Sequence, residues 1–416
     1  MRPFKKTRIL YINQTGLVSG AEKVLMSILS GLDRTRFEPY VLCPAQGRLA
    51  GEVLVLGVEW LPLPPIQARF AWRPDRIIHS VFSLLKAVMT IRKQIRKVAP
   101  DFIHANSVRA GIPASVAAMS RGIPVIWHVH DSLPRHPVSS AIRLFLCLAR
   151  RTRVIAVSNA TAKRVIGILP IGKRVQTIYN AVDLSRFSAK QTKSSEFRKT
   201  IGVSGEDFLV CAIGQICARK GLLESIYALR HIVPQAPHIH LAIVGKVVFR
   251  HEEEYLDALR STSRVLGIED HIHFTGELYD VSPVLQASDL LVLNSRDEPF
   301  GLVLIEAMAC GTPVLATRVG GIPEIVTDSE NGWLIESGDT AALASTLLEL
   351  SRNAAALVRV ADRARRVTCP RFSLNRFQCE LAKLYAELDP YSDLNWNVPN
   401  RRALARSGNN QGVSHA

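Results

Sequence analysis

The chain has 416 residues, of which 47% are hydrophobic and 21% charged, a balance typical of folded globular proteins. Its length predicts two or three domains. The seven cysteines include no C-x-x-C pair, which argues against a disulfide scaffold or zinc ribbon and favours a reducing compartment. No apolar run reaches the roughly 18–20 residues of a spanning helix, and the N-terminus lacks the apolar stretch of a signal peptide. We therefore expect a soluble, cytoplasmic protein.

The net charge of +16 is concentrated in the first half of the chain. Residues 1–190 contain 29 lysines and arginines against 9 acids (+20), and the remainder contains 23 against 27 (−4). A basic half can bind nucleic acid, an anionic membrane or an anionic substrate, or it can be a solvated surface. Nucleic acid is not expected as a partner, because the basic residues are not interleaved with aromatic ones and no nucleic-acid-binding motif is present.

Two series of short apolar runs alternate with segments of helical periodicity. The first series lies at 8–13, 40–44, 101–106, 125–131, 154–158 and 177–180, and the second at 208–214, 240–245, 272–276, 290–295, 313–317 and 332–336. Runs without polar alternation indicate strands buried on both faces of parallel sheets. The sequence therefore predicts an α/β protein with two doubly wound, Rossmann-like domains and a ligand cleft between them.

The polar stretch near residues 185–199 separates the two series. The N-terminal domain is predicted to span residues 1–183 and the C-terminal domain residues 184–388. Residues 389–416 are polar and basic and have no hydrophobic periodicity, so we predict a disordered tail there.

The segment 297–316, DEPFGLVLIEAMACGTPVLA, carries the strongest local signal for a binding site. Its residues 302–310 are predicted to form a helix, ended by a left-handed glycine. The amides of Phe300, Gly301 and Leu302 would then be free donors at a helix N-terminus, which suits an anion or acceptor oxygens. Glu298, just before the helix, and Glu306, within it, would line a cleft that suits a hydroxyl-rich ligand. Alternatively, Glu298 is a simple helix cap, and Glu306 is a buried acid whose hydrogen bonds are satisfied within the protein.

This segment resembles the E-x7-E signature of the retaining family 4 glycosyltransferases (glycosyl transferases group 1). The resemblance implies the GT-B fold, in which two Rossmann-like domains face a central cleft and the C-terminal helix crosses back. Further motifs follow the family's order and extend the likeness over roughly residues 7–388. They are S-G-A-E at 19–22, W-H-V-H-D at 127–131, V-S-N at 157–159, Y-N-A-V-D at 179–183, R-K-G at 219–221, G-G-I-P-E at 320–324 and N-G at 331–332.

The resemblance also implies that the C-terminal domain binds a nucleotide-diphosphate sugar and the N-terminal domain the acceptor. Glu306 would accept hydrogen bonds from the ribose hydroxyls. Glu298, beside the amides of residues 300–302, would accept hydrogen bonds from the hydroxyls of the sugar. Lys220 with Arg219 would neutralise the diphosphate leaving group, where charge builds up as the glycosidic bond breaks.

Two N-terminal residues receive a role from the same resemblance. Gly20 would let the backbone approach the diphosphate, because it has no side chain. His130 would hydrogen-bond the donor sugar and hold the oxocarbenium-like transition state in place. The catalytic residues implied are therefore His130, Lys220 and Glu298.

One position departs from the family pattern. Gln215 follows Gly214 where members usually have G-R, and glutamine cannot supply the charge of an arginine fork. Either Arg219 compensates, or the diphosphate site is weakened. Two rival interpretations remain: a nucleotide-sugar 2-epimerase of the same fold, and a catalytically silent GT-B scaffold, which position 215 favours.

The other histidines are expected to be structural. His104 is expected to pack or hydrogen-bond at a strand end, and His128 to face away from His130. The remaining histidines near predicted strands are His238, His240, His271 and His273. Their spacing does not match that of paired metal ligands, so we predict no metal site.

The expected function is metal-independent, retaining transfer from a nucleotide-diphosphate sugar to a glycan or lipid-linked acceptor, in cell-surface polysaccharide or glycolipid synthesis. No cofactor is expected beyond this co-substrate. The segment 76–97 predicts an amphipathic helix with six cations and no acid, and 140–153 adds a second basic segment. Because such helices bind anionic bilayers, we expect peripheral association with the inner face of the membrane. The apolar face of 76–97 also suits packing on the sheet.

Overall fold

The computed structural model describes residues 5–67, 74–133, 136–187, 195–248 and 252–391. The strands of its first half are Thr7–Ile12 (β1), Phe37–Cys43 (β2), Glu59–Pro62 (β3), Phe102–Ala105 (β4), Val125–Val129 (β5), Thr152–Ala156 (β6) and Val175–Thr177 (β7). They form one parallel sheet in the order β3-β2-β1-β4-β5-β6-β7. The short strand β3, at the edge, is absent from the predicted runs.

A second parallel sheet follows in the second half of the chain. Its strands are Phe208–Ile213 (β8), Ile239–Val244 (β9), Ile272–Gly276 (β10), Leu290–Leu293 (β11), Val314–Thr317 (β12) and Trp333–Ile335 (β13). Its strand order is β10-β9-β8-β11-β12-β13. Strands β8 to β10 are added toward one edge of the sheet and β11 to β13 toward the other, so the order reverses between β8 and β11. In the first sheet it reverses between β1 and β4. Ligands of such sheets bind where the order reverses, at the carboxyl ends of the strands.

Helices cover both faces of each sheet. They are Gly20–Ser30 (α1), Leu49–Val55 (α2), Pro74–Val98 (α3), Val108–Met119 (α4), Pro137–Leu148 (α5), Asn159–Ile166 (α6), Ser195–Thr200 (α7), Leu222–Ile232 (α8), Glu253–Val265 (α9), Ser282–Ala287 (α10), Leu302–Cys310 (α11), Ile322–Ile325 (α12), Thr340–Ser351 (α13), Ala354–Arg363 (α14) and Leu374–Ala386 (α15). Central strands such as β1 and β11 are buried on both faces, which explains their continuous apolar runs. Within the described ranges, none of the helices combines the length and apolar character that crossing a bilayer requires.

Helix α15 follows the second sheet in the chain but packs against the first, which confirms the expected crossing back. Its Phe377, Leu381 and Tyr385 are buried in one cluster with Ile9 and Tyr11 of β1. The Tyr11 and Tyr385 hydroxyls lie 3.1 Å apart. The C-terminal helix thus joins the two halves of the molecule through an apolar core.

The described chain extends to Tyr391, past residue 388, whereas the disordered tail is predicted to begin at residue 389. Asp389 is 8% exposed, accepts a hydrogen bond from Thr7 and forms an ion pair with Arg36 at 3.1 Å. A carboxylate held by two partners of the first sheet fixes the backbone there, which composition alone does not reveal. Residues 392–416 of the predicted tail lie outside the described residues.

Candidate active site

Helix α11 begins a few residues after strand β11 and spans the residues that the sequence predicts. Gly301 and Gly311 flank it in left-handed conformations, with φ of 104° and 80°. Amides at a helix N-terminus have no partner within the helix, so those near Leu302 suit an anion or acceptor oxygens. The Phe300 side chain packs in the core, 6.1 Å from the Tyr179 ring, so this residue offers the site its backbone only.

The Glu298 carboxylate, 9% exposed, lies beside two cations. Its Oε2 is 2.5 Å from Lys220 Nζ and 3.9 Å from Arg219 Nη1. Burial opposes the charge on this carboxylate, but Lys220, together with Arg219 and the Ser295 hydroxyl, outweighs burial, so the pKa of Glu298 is lowered. The 3₁₀ turn Ala218–Lys220, just before α8, places both cations near the N-terminus of α11.

Glu306 lies four residues inside α11 and is 8% exposed. Burial raises its pKa, and the positive charges of Lys23 and Arg186 partly offset that effect. Lys23 belongs to α1, on the first sheet, so the N-terminal half of the chain contributes to the electrostatics of this carboxylate. The two glutamates therefore differ: Glu298 is held as an anion by its partner, whereas burial disfavours the charge of Glu306.

Gly20 begins α1 directly opposite the N-terminus of α11. A Cβ atom built on Gly20 would lie 3.7 Å from Leu302 Cδ1, a van der Waals contact across the cleft. The turn before α1 is held by a reciprocal cap, in which the Ser19 amide donates to Glu22 Oε2 at 3.0 Å. The N-termini of α1 and α11, which belong to different sheets, are therefore close together, and the positive ends of both helix dipoles lie near this contact.

His130 directly follows strand β5 at the carboxyl edge of the first sheet. Its Nε2 lies 3.1 Å from Oδ1 of Asn106, which follows the neighbouring strand β4. Burial lowers the pKa of His130 to about 3, so its ring is neutral at physiological pH. His130 is among the predicted site residues and Asn106 is not, although D-F-I-H-A-N ends its strand as W-H-V-H-D does.

The prediction that His128 faces away from His130 is wrong. The two ring centroids are 4.1 Å apart, because side chains two residues apart on a strand lie on the same face. His104 is fully buried, and its Nδ1 lies 2.6 Å from the Tyr385 hydroxyl, so the structural role expected for it is confirmed. Burial lowers the pKa of His104 to about 3.

Contacts between the two halves of the chain lie beside these residues. The Glu324 carboxylate of α12 accepts hydrogen bonds from the amides of Asn159 and Ala160, both at 2.8 Å, at the N-terminus of α6. The Tyr179 hydroxyl donates to the same carboxylate at 2.9 Å. Glu324 belongs to the G-G-I-P-E motif, but the sequence predicts no role for it, because no spacing rule connects residues 165 positions apart.

Gln215 does not join the cations of the site. Its Nε2 donates to both carboxylate oxygens of Glu252, at 2.9 and 2.7 Å. Lys220 and Arg219 are therefore the cations next to Glu298. In the part of the chain that the structure describes, no group of three or more His, Cys, Asp or Glu side chains is arranged to hold a metal ion.

Two family models match consecutive parts of the chain. The model described as Glycosyltransferase Family 4 matches residues 18–186, and that described as Glycosyl transferases group 1 matches residues 193–367. The chain belongs to this glycosyltransferase family. It is therefore a retaining GT-B enzyme that transfers a sugar from a nucleotide-diphosphate sugar, as the motifs at 19–22 and 298–306 led us to expect.

Relatives with stated activities align with much of this glycosyltransferase. An N-acetyl-alpha-D-glucosaminyl L-malate synthase of Bacillus anthracis is 30% identical over 56% of the chain and 59% of that relative. An Escherichia coli UDP-Gal:alpha-D-GlcNAc-diphosphoundecaprenol alpha-1,3-galactosyltransferase is 24% identical over 83% of the chain and 88% of that relative. Anabaena Alr3699/HepE, solved with UDP and glucose, superposes with a TM-score of 0.79 and 26% identity over 91% of this chain and 99% of its own.

Proposed function

We propose that this enzyme transfers a hexose from a UDP-sugar, without a metal ion, to a glycan or lipid-linked acceptor of cell-surface polysaccharide or glycolipid synthesis. The donor would bind to the C-terminal domain (184–388) and the acceptor to the N-terminal domain (1–183). The observation that carries the proposal is the meeting of Lys220 and Glu298 at the N-terminus of α11, opposite Gly20. The choice of uracil rests on Anabaena HepE, which was solved with UDP-glucose.

In this proposal each charged group of the cleft has one task. Glu306 accepts hydrogen bonds from the ribose hydroxyls and Glu298 from the hydroxyls of the sugar. Lys220 and Arg219, with the amides of α11, stabilise the negative charge that develops on the diphosphate as the glycosidic bond breaks. Gly20 lets the backbone approach the same diphosphate, and its own helix adds a second positive dipole end.

In a single displacement that retains configuration, the acceptor attacks from the face that the diphosphate leaves. The leaving phosphate oxygen takes the acceptor proton, so the chain needs no separate general base on the far face of the sugar. His130 accepts a hydrogen bond from a sugar hydroxyl and keeps the donor aligned for this attack. The cations replace a metal ion in this step, because they supply the positive charge that the leaving group needs.

The acceptor side of the proposal rests on helix α3. Its exposed apolar residues follow helical spacing along one face and are Ile78, Val81, Phe82, Leu85 and Met89. The exposed cations Lys86, Arg92 and Lys93 continue toward the C-terminal end of the helix. The predicted Arg76 and Ile77 lie outside the described side chains. An apolar stripe next to cations suits an anionic bilayer, so we propose peripheral binding at the cytoplasmic face of the membrane.

A donor screen tests the proposal. UDP at about 100 times its dissociation constant should raise the free energy of unfolding by roughly 2.7 kcal/mol, whereas GDP and ADP should not. Transfer from UDP-hexoses to GlcNAc-diphosphoundecaprenol should continue in EDTA and give a product of the donor's anomeric configuration. Stabilisation by GDP alone would reject the uracil nucleotide, and loss of transfer in EDTA would reject metal independence. Stabilisation by no nucleotide would favour a silent scaffold.

A further inference from the structure

Polar residues that follow three neighbouring strands of the first sheet form one hydrogen-bonded row. Asn13 follows β1, Asn106 follows β4 and His130 follows β5, and these strands are adjacent in the sheet. Asn106 is 1% exposed, and its Nδ2 donates to Asn13 Oδ1 at 2.9 Å. Asn13 Nδ2 in turn donates to Glu22 Oε1 at 3.0 Å. The row therefore runs from the turn before α1 to the ring of His130.

The Asn106 carboxamide has a single orientation that satisfies its neighbours. Its Nδ2 lies 3.1 Å from the backbone oxygen of Ala21, which can only accept a hydrogen bond. The amide nitrogen therefore points to Ala21, and Oδ1 faces His130 Nε2 at 3.1 Å. Because a carboxamide oxygen cannot donate, Nε2 must carry the ring proton. In the neutral ring, Nδ1 is then the acceptor.

We propose that Asn106 is a positioning residue that fixes the Nε2-protonated tautomer and the orientation of His130, so that Nδ1 stays an acceptor for a hydroxyl of the donor sugar. The part played by the sugar rests on the proposed function above, whereas the tautomer does not. Through Asn13, the same row ties the ring to the turn that carries Gly20. The imidazole and the diphosphate-facing backbone are thus held in one geometry before the donor binds.

The titratable groups around the ring do not compete for this proton. The His128 ring lies against His130, tilted by 35°, with His104 and the Tyr385 hydroxyl of α15 behind it. Burial lowers the pKa of both histidines and raises that of the tyrosine, so these three groups are uncharged at neutral pH. Glu22 lies beyond Asn13 and directs its carboxylate to that amide and to the cap of α1.

The tautomer can be measured without any donor. Long-range ¹H–¹⁵N spectra of the full chain labelled with ¹⁵N-histidine distinguish the two neutral tautomers, and His130→Gln identifies the signal. We expect the Nε2–H form in the native protein and loss of that preference in Asn106→Leu, which keeps the branched shape but none of the three side-chain hydrogen bonds. An Nδ1–H ring in the native protein would overturn the proposal, as would an unchanged tautomer in folded Asn106→Leu.

The pH dependence of transfer supplies a second readout that a purely structural residue would not change. In Asn106→Asp the carboxylate beside Nε2 raises the pKa of His130, so the ring becomes charged as the pH falls and Nδ1 stops accepting. We expect kcat/KM of this variant to fall about tenfold between pH 7 and pH 5, because a neighbouring opposite charge raises the pKa of the ring by about 1–3, with a flat profile in the native enzyme. Asn331→Asp, at another buried asparagine, in the turn before β13, should keep the flat profile.

Parallel pH profiles for Asn106→Asp and the native enzyme would overturn the proposal. If the native enzyme transfers no sugar from UDP-hexoses, the proposed function fails while the tautomer measurement still decides the role of Asn106. A thermal shift with UDP shows whether each variant folds. Measurement of the native tautomer needs no variant, so the proposal can be refuted even if every substitution at position 106 unfolds the chain.

Discussion

Lys220 Nζ lies 2.5 Å from Glu298 Oε2, although the two residues are 78 positions apart and belong to different loops of the second sheet. The ion pair is mostly buried, with 14% and 12% of the two side chains exposed. A buried pair of this kind makes the removal of one partner costly, because the other charge then stays buried alone. In the proposed function, this pair places the cation for the diphosphate directly beside the hydrogen-bond acceptor for the sugar.

Replacing the cation should impair turnover more than binding. We expect Lys220→Met to lower kcat by about 10²–10³, the range for removing one transition-state donor, with little change in KM for the acceptor. Steady-state kinetics with both substrates measures this, and Lys383→Met, on the exposed side of α15, is the control. Equal losses in acceptor binding and turnover would contradict the role of Lys220 at the leaving group.

Lys220→Met should also reverse the pH dependence of the contribution that Glu298 makes to the stability of the fold. In the native protein its pKa lies below the ordinary value of 4.5, so its contribution is present above pH 4.5 and is lost as the pH falls further. Without Lys220, burial raises the pKa, and the charged carboxylate destabilises the fold at neutral pH. We expect the Tm difference between native protein and Lys220→Met to be largest near pH 7 and to shrink toward pH 4. A constant difference across this range would refute the coupling.

Glu306→Gln should weaken donor binding without weakening the fold. Burial raises the pKa of Glu306, so its charge destabilises the native state at neutral pH and the amide should leave Tm equal or higher. If Glu306 holds the ribose, the affinity for UDP falls by about 1.5–3 kcal/mol. Calorimetric titration and a melting curve test both directions, with the exposed Glu349→Gln as control. Unchanged UDP affinity in the folded variant would remove Glu306 from the site.

Glu324→Ala should loosen the closed arrangement of the two sheets. The change removes three hydrogen bonds that Glu324 accepts from Asn159, Ala160 and Tyr179. We expect a larger radius of gyration in small-angle scattering and a fall in kcat/KM, because the two sides of the cleft no longer stay in register. Tyr179→Phe, which removes one of the three bonds, should give a smaller effect. An unchanged scattering profile would show that other contacts hold the sheets together.

The parts of the molecule that follow local rules are those that the sequence predicts. Helix α11 has its predicted bounds because its capping glycines and apolar content agree. Five strands of the second sheet lie within predicted runs, and β9 begins one residue before its run. Strand β3 was missed because an edge strand of four residues, half exposed, has neither an apolar run nor clear alternation. The partners of Glu324 and Asn106 depend on which strand ends meet in space, which no single-sequence pattern encodes.

The surface of α3 leads to the last prediction. Phe82 is 68% and Leu85 57% exposed, and exposed apolar side chains in a row mark a contact surface more often than scattered ones do. Each Lys or Arg near an anionic bilayer adds about 1 kcal/mol, so Arg92 and Lys93 together should shift binding more than tenfold. We expect sedimentation with phosphatidylglycerol vesicles at low salt, none with phosphatidylcholine alone, and release at high salt.

Two double substitutions separate the apolar and charged contributions to this binding. Phe82→Ser with Leu85→Ser should weaken binding at every salt concentration, whereas Arg92→Glu with Lys93→Glu should weaken binding at low salt and reduce its salt dependence. Val358→Ser, at an equally exposed apolar residue of α14, should bind as the native protein does. Failure of the native protein to bind anionic vesicles at low salt would refute membrane association, and the enzyme would then act on an acceptor in solution.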